Sequence, residues 1–204
     1  FPLADIIQAS PESPKLLCAP STIHLAGAEI ELVSQVAREH RLRSALDEYL
    51  ASAEEHVDVV LIDCPPSLGL LTINAFAAAQ QVLIPIQCEY YALEGLSQLL
   101  GSVQMIQKHL NPKLNVSTIL LTMYDGRTKL AQQVADEVRS HFPNEVLNSV
   151  IPRSVRVSEA PSFGQTVIAY DGGSAGAVAD KQAAIEILDR AVARETNKNE
   201  EGAL

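Results

Sequence analysis

A carboxylate that follows four apolar residues and precedes two prolines, as Asp63 does in DVVLIDCPPSLG (Asp58 to Gly69), has two chemical uses. At the carboxyl end of a buried strand it can hold Mg²⁺, usually through water, beside a phosphate carried by a neighbouring loop. It can equally cap the next turn or helix. Pro65 and Pro66 stiffen the exit, and Gly69 is expected to allow a sharp turn before a helix that starts at Leu70. A stiff loop that can still re-orient beside a metal-holding aspartate suits a nucleotide switch. A second acidic pair, Glu89 and Glu94 in CEYYALEG, has the residue types of a two-carboxylate hydrolase, although helical spacing and ion pairing explain it as well. Cys18, Cys64 and Cys88 are far apart, odd in number and set among apolar residues, which suits reduced core thiols better than a disulfide framework or a metal-thiolate site.

Charge adds a third kind of chemistry. The chain carries a formal net charge of −10, yet Lys108 to Arg156 holds seven basic residues against four acidic ones. Phosphate binding depends on local clustering more than on the total, and an acidic remainder makes such binding weaker and more sensitive to salt. A solvated helical face accounts for the same charges.

The elements that would position these groups follow from periodicity. Short β-branched runs (KLLCAP, DVVLID, QVLIPIQ, NVSTILLTM, EVLNSVIP) alternate with longer helical segments such as TKLAQQVADEVRSHF, where Leu130, Val134 and Val138 recur every four residues. Strand and helix in alternation predict an α/β fold of three layers, with a mostly parallel sheet covered on both faces. Ligands of such sheets gather at the carboxyl ends of the strands. The 204 residues, 47% of them hydrophobic, suffice for one core, expected over residues 1–193, with 194–204 as a frayed helix and tail. No apolar run approaches the ~20 residues of a membrane span, and the first residues lack the order of a secretory signal, so the chain reads as cytoplasmic.

Five blocks, IHLAGAEIELV, VLIDCPPSLGLLTINA, PIQCEYYALEGLSQLL, LLTMYDGRT and VIPRSVRVSEAPSFG, resemble in order the ParA/Soj family of chromosome- and plasmid-partitioning ATPases. The likeness runs from about Leu16 to about Ala177. It implies a P-loop NTPase fold of the deviant Walker A type, with ATP and Mg²⁺ as cofactors and a homodimer in the ATP-bound state. It also implies non-specific binding to nucleoid DNA and hydrolysis stimulated by a ParB/Spo0J-type centromere-binding partner. By this resemblance Asp63 is the catalytic and Mg²⁺-holding Walker B aspartate, and Cys64 to Gly69 form the second switch. Thr122, Met123 and Pro152 lie at the adenine, Arg127 and Arg156 face DNA, and Glu89, Tyr90 and Tyr91 shape the dimer face or support the switch. Ser154 stands where the family has asparagine.

The 204 residues contain no glycine-rich GK[ST] loop; Gly172, Gly173 and Gly176 do not supply one, since Lys181 is followed by Gln182. The chain is therefore expected to be the sensing and DNA-facing part of an ATPase, hydrolysing ATP poorly or not at all by itself. The alternative is a DNA-binding or dimerising module without nucleotide chemistry. A membrane-associated MinD-type role is set aside: AAIEILDRAVARETNKNEEGAL is too acidic and too poor in large apolar residues for an interfacial anchor.

Overall fold

The computed structural model of the chain describes residues 2–201, which fall into two compact units, one built from residues 2–82 and 99–115 and the other from residues 83–98 and 116–201. In the first unit, β1 (Gln8–Ser10) and β2 (Ser13–Cys18) form an antiparallel hairpin, followed by α1 (Leu25–Leu32), α2 (Arg41–Ser52) and α3 (Leu70–Ala78). Buried Asn74 ties α3 to α2. Its side-chain amide donates to the carbonyls of Arg38 (2.8 Å) and Leu70 (2.9 Å), while its carbonyl accepts the Leu42 N–H (3.2 Å), so no polar atom of the buried group is wasted. Asn111 does the same for the exit of α3, donating to the carbonyls of Phe76 and Ala79.

The sheet is built from β3 (Gln81–Gln87), β4 (Asn115–Tyr124) and β5 (Val146–Pro152), in the order β3-β4-β5 with β4 and β5 parallel; α4 (Ala92–His109) follows β3 and α5 (Lys129–His141) joins β4 to β5. Four short or long helical pieces close the chain's described part, among them α6 (Val155–Glu159), α7 (Val167–Tyr170) and α8 (Ala175–Glu201). Ile119, Leu121, Val138 and Leu147 are fully buried, as strands covered by helices require. Thr128 caps α5 by accepting the Ala131 N–H at 3.3 Å. Its buried stripe is Ala131, Val134, Ala135 and Val138, so the expected period holds at the two valines while Leu130 lies on the exposed side.

α8 protects the edge strand β5. The Glu186 carboxylate accepts the N–H groups of Asn148 (2.8 Å) and Ser149 (2.9 Å), and Arg190 donates to the carbonyls of Asn144, Glu145 and Val146 as well as to Glu186. Backbone groups that a neighbouring strand would have satisfied are thus taken by one helix, leaving less edge for a foreign strand to join.

Three expectations need correction. DVVLID is not a strand: Val59 and Leu61 are 61% and 87% exposed, and the run has no ladder partner among the described residues. β-Branched residues favour strands because they pack on a pleated neighbour, and no such neighbour is present here. KLLCAP does pair, but in the antiparallel hairpin with β1 rather than in the parallel sheet, which leaves Leu16, Leu17 and Cys18 exposed. Of the three expected core thiols only Cys88 is buried. As for the tail, α8 continues through Glu201, and residues 202–204 lie outside the described residues. Among the described residues no helix is long and apolar enough to cross a membrane.

Candidate functional site

Asp63 belongs to the first unit. It is exposed at the end of the 58–63 run, where its carboxylate is open to water, and it leads into the loop before α3. The Thr72 hydroxyl, buried in α3, donates to the Ser67 carbonyl at 2.5 Å and closes that loop. Burial, and then the Asp63 charge, push the Cys64 thiol up, which disfavours its thiolate form. α3 has no side-chain cap of its own at Gly69; the carboxylate of Glu29, from α1, packs directly against the Gly69 backbone and accepts the Leu71 N–H at 3.4 Å. A negative charge at a helix amino end offsets the unsatisfied N–H groups there. Gly69 has an ordinary φ of −75°, so no left-handed turn calls for a glycine there, and a side chain at this position would meet only the mobile end of Glu29. Two of the sequence blocks, IHLAGAEIELV and VLIDCPPSLGLLTINA, are linked by that contact.

As a holder of Mg²⁺, Asp63 would act outside any cluster of acidic, His or Cys ligands among the described residues. Among the described residues no group of three or more His, Cys, Asp or Glu side chains could enclose a metal. What the chain offers is one water-exposed carboxylate, which suits an ion held chiefly by water and phosphate oxygens.

The remaining candidates lie in the second unit, where β4 and β5 end side by side. Thr122 is committed to joining β3 and β4: its hydroxyl donates to the Ile86 carbonyl (3.0 Å) and its carbonyl accepts the Cys88 N–H (3.1 Å). Met123 has a φ of +52°, and the pairing passes from Leu121 opposite Val150 to Tyr124 opposite Pro152, three residues against two. That is a bulge, made by a left-handed residue that costs about 1–3 kcal/mol in a non-glycine. Such strain at a strand end is characteristic of functional sites, because packing around it must over-determine the conformation. Beyond the bulge the Arg153 N–H donates to the Tyr124 carbonyl at 3.0 Å, so Pro152 and Arg153 sit against the loop that follows Tyr124.

That loop is held rigidly. Asp125 accepts the Arg127 backbone N–H (3.1 Å), the Arg127 Nε–H (2.9 Å) and Nη2–H (2.7 Å), while Gln132 donates to the Gly126 carbonyl at 2.7 Å. The Arg127 fork, with the backbone amide and nearby Arg153 adding to it, lowers the Asp125 carboxyl to about 2. Arg127 itself remains at the surface, its side chain 89% exposed. Across the same end, Arg153 reaches Glu89 (3.5 Å), next to the exposed Tyr90 and Tyr91, whose rings meet edge to face at 5.1 Å. Arg156, on α6, contacts Glu159 (3.1 Å) and Asp171 (3.4 Å). Beneath it, Gly176 lets α8 press against Val157 and Ser154; a Cβ there would lie 2.5 Å from Val157 Cγ2. The stacked rings of Phe163 and Tyr170, 4.9 Å apart, brace α7 on the same flank.

Thr122, Met123, Pro152 and Arg127 are therefore brought to one end of β4 and β5, and Arg156 opens the helix that follows. Sequence reasoning missed Glu29, the Met123 bulge and the role of Asp125. Only the last had a local signal, an aspartate two residues before the backbone amide it accepts.

A family profile described as an AAA domain matches residues 2–116. Among curated relatives, the sporulation initiation inhibitor protein Soj of Bacillus subtilis is 55% identical over 173 residues, covering 85% of this chain and 66% of that protein. The chromosome partitioning protein ParA of Myxococcus xanthus is 54% identical over 161 residues (79% and 56%), and the chromosome-partitioning ATPase Soj of Treponema pallidum 48% over 175 (86% and 68%). The chain thus spans less than two thirds of the length of the Bacillus and Myxococcus relatives. Among solved structures, cobyrinic acid a,c-diamide synthase from Mycobacterium smegmatis with bound ADP and magnesium is similar at 36% identity and a TM-score of 0.67, covering 76% of this chain and 60% of that one. The cell division ATPase MinD of Pyrococcus furiosus, at 20% identity and a TM-score of 0.70 over 93% and 71%, shares the fold.

Proposed function

The chain belongs to the ParA/Soj family of chromosome-partitioning ATPases, and on that footing we propose that it forms the sensing and DNA-facing part of such an ATPase. The proposed cycle couples ATP-dependent dimerisation to non-specific binding of nucleoid DNA, with hydrolysis stimulated by a ParB/Spo0J-type partner. The observation that carries the reading is the convergence at the carboxyl ends of β4 and β5: a strained Met123, Pro152, and the arginine loops of Arg127 and Arg153, with Arg156 one helix start beyond. Strand ends of this kind are where α/β sheets bind ligands, and exposed guanidinium forks match phosphate oxygens without reading bases.

In this reading Asp63 would hold Mg²⁺, and the ion would supply charge neutralisation at the transferred phosphate. The loop from Cys64 to Gly69, seated on α1 by Glu29, responds to the occupancy of that position. Thr122, Met123 and Pro152 border the base, Thr122 through its fixed backbone rather than its hydroxyl, which Ile86 already engages. Arg127 and Arg156 take DNA phosphates. A non-enzymatic DNA-binding or dimerising module is the competing reading.

Asp63→Ala separates the two. Because Asp63 is exposed and outside the core, the variant should keep its fold while steady-state hydrolysis by the full-length protein falls by about two orders of magnitude or more. Hydrolysis at the wild-type rate would overturn the metal role.

A further inference from the structure

Each arginine at the proposed DNA face is already engaged by acidic side chains of the same unit: Arg127 by Asp125, Arg153 by Glu89, and Arg156 by Glu159 and Asp171. The three contacts are not equal. Arg153 and Glu89 meet at a single 3.5 Å distance, whereas Asp125 takes both Nε–H and Nη2–H of Arg127 in the side-on fork that a phosphate would also use. A guanidinium has five N–H donors, so three of those on Arg127 still point elsewhere. Its 89% exposure places them at the surface, and a phosphate bound there would lie within a few ångströms of the Asp125 carboxylate.

We propose that Asp125 is a built-in counter-ion that restrains DNA binding at Arg127, holding the guanidinium in a phosphate-like grip and repelling the phosphate that must displace or join it. The inference rests on the reading of Arg127 as a DNA contact. A carboxylate so near the contact lowers non-specific affinity without altering sequence preference, since nothing in this arrangement reads bases. The consequence suits a protein that must release DNA readily: affinity stays moderate and strongly dependent on salt. Asp125 remains ionised throughout the physiological range, so the restraint is constant and is not a pH switch.

The test is a set of binding titrations of the full-length protein with MgATP on duplex DNA of arbitrary sequence, comparing wild type, Asp125→Asn, Arg127→Ala and the double variant. Asparagine keeps the size of the side chain and its ability to accept the Arg127 backbone amide while removing the charge. Asp125→Asn should bind DNA roughly threefold to fivefold more tightly at low salt, the gain shrinking as salt rises. In the Arg127→Ala background the same replacement should give little gain, because the effect runs through that guanidinium. A gain of equal size in both backgrounds would assign it to overall charge and overturn the proposal. No gain, or a loss, from Asp125→Asn while Arg127→Ala weakens binding would overturn it alone, making Asp125 a support for the arginine instead. Wild-type binding left unchanged by Arg127→Ala, or absent altogether, would overturn the DNA reading of Arg127 and the restraint with it.

Discussion

Asp125 and Arg127 show how much two side chains two residues apart can settle. The aspartate closes a turn through the Arg127 backbone amide and engages the arginine fork by two further hydrogen bonds, so a flexible cation is held against its own loop. Its carboxyl falls from an ordinary 3.8 to about 2, with the Arg127 fork the largest cause. A group whose value is lower in the folded state contributes stability that is present above the unfolded value and lost as pH falls towards the folded one. The contribution from this pair should therefore be complete above about pH 4 and decline between 3.8 and about 2. Exposure and salt keep it small, so the titration itself is the better observable. Carboxyl carbon shifts followed by NMR should place the Asp125 midpoint near 2, moving up towards 3.8 in Arg127→Ala. A midpoint near 3.8 in the wild-type protein would show that the fork is not formed in solution.

Elements were legible in the sequence where strands and covering helices pack around them. The runs over β3, β4 and β5 and the valine period of α5 each read correctly because strand neighbours and covering helices are all present to reward them. DVVLID has equal β propensity and yet forms no ladder, since propensity measures fit to a neighbour that these residues do not meet. The Met123 bulge left no trace in the sequence, because methionine has no preference for positive φ and the conformation is imposed by packing. The turn expected at Gly69 is not what the backbone adopts there, and the carboxylate packed beside it comes from Glu29, forty residues earlier in the chain. The clasp of α8 on β5 is likewise invisible to periodicity. Burial raises the Glu186 carboxyl, and the amides of Ser149 and Asn148 together with Arg190 more than reverse this, which marks the charged form as the one that binds the strand. Glu186→Ala, which leaves the backbone amides of Asn148 and Ser149 without their acceptor and removes one of the bonds of Arg190, should cost about 1–3 kcal/mol in urea unfolding. A loss below about 0.5 kcal/mol, the range of ordinary surface changes, would mean that water replaces the clasp at no cost.

For the molecule as a whole, a chain of net charge −10 is proposed to bind a polyanion, and the two facts are compatible only if binding is local. In the sequence the uneven charge between Lys108 and Arg156 was equally that of a solvated helical face, and it is the fold that gathers Arg127 and Arg153 at the paired ends of β4 and β5, with Arg156 opening the next helix. What the sequence did not disclose is that each of these arginines is met by a carboxylate, so the face is compensated rather than simply basic. If this face carries nucleotide-dependent and sequence-independent DNA binding, affinity must fall with salt in a way that depends on its arginines. Binding of the full-length protein to arbitrary duplex DNA would be measured over a range of salt concentrations, with and without MgATP, in the wild type and in Arg127→Ala and Arg156→Ala. Tight binding is expected only with MgATP, with a steep fall of log affinity with log salt and a slope shallower by about one in each variant. Binding indifferent to nucleotide, or slopes unchanged in both variants, would contradict the DNA reading of this face.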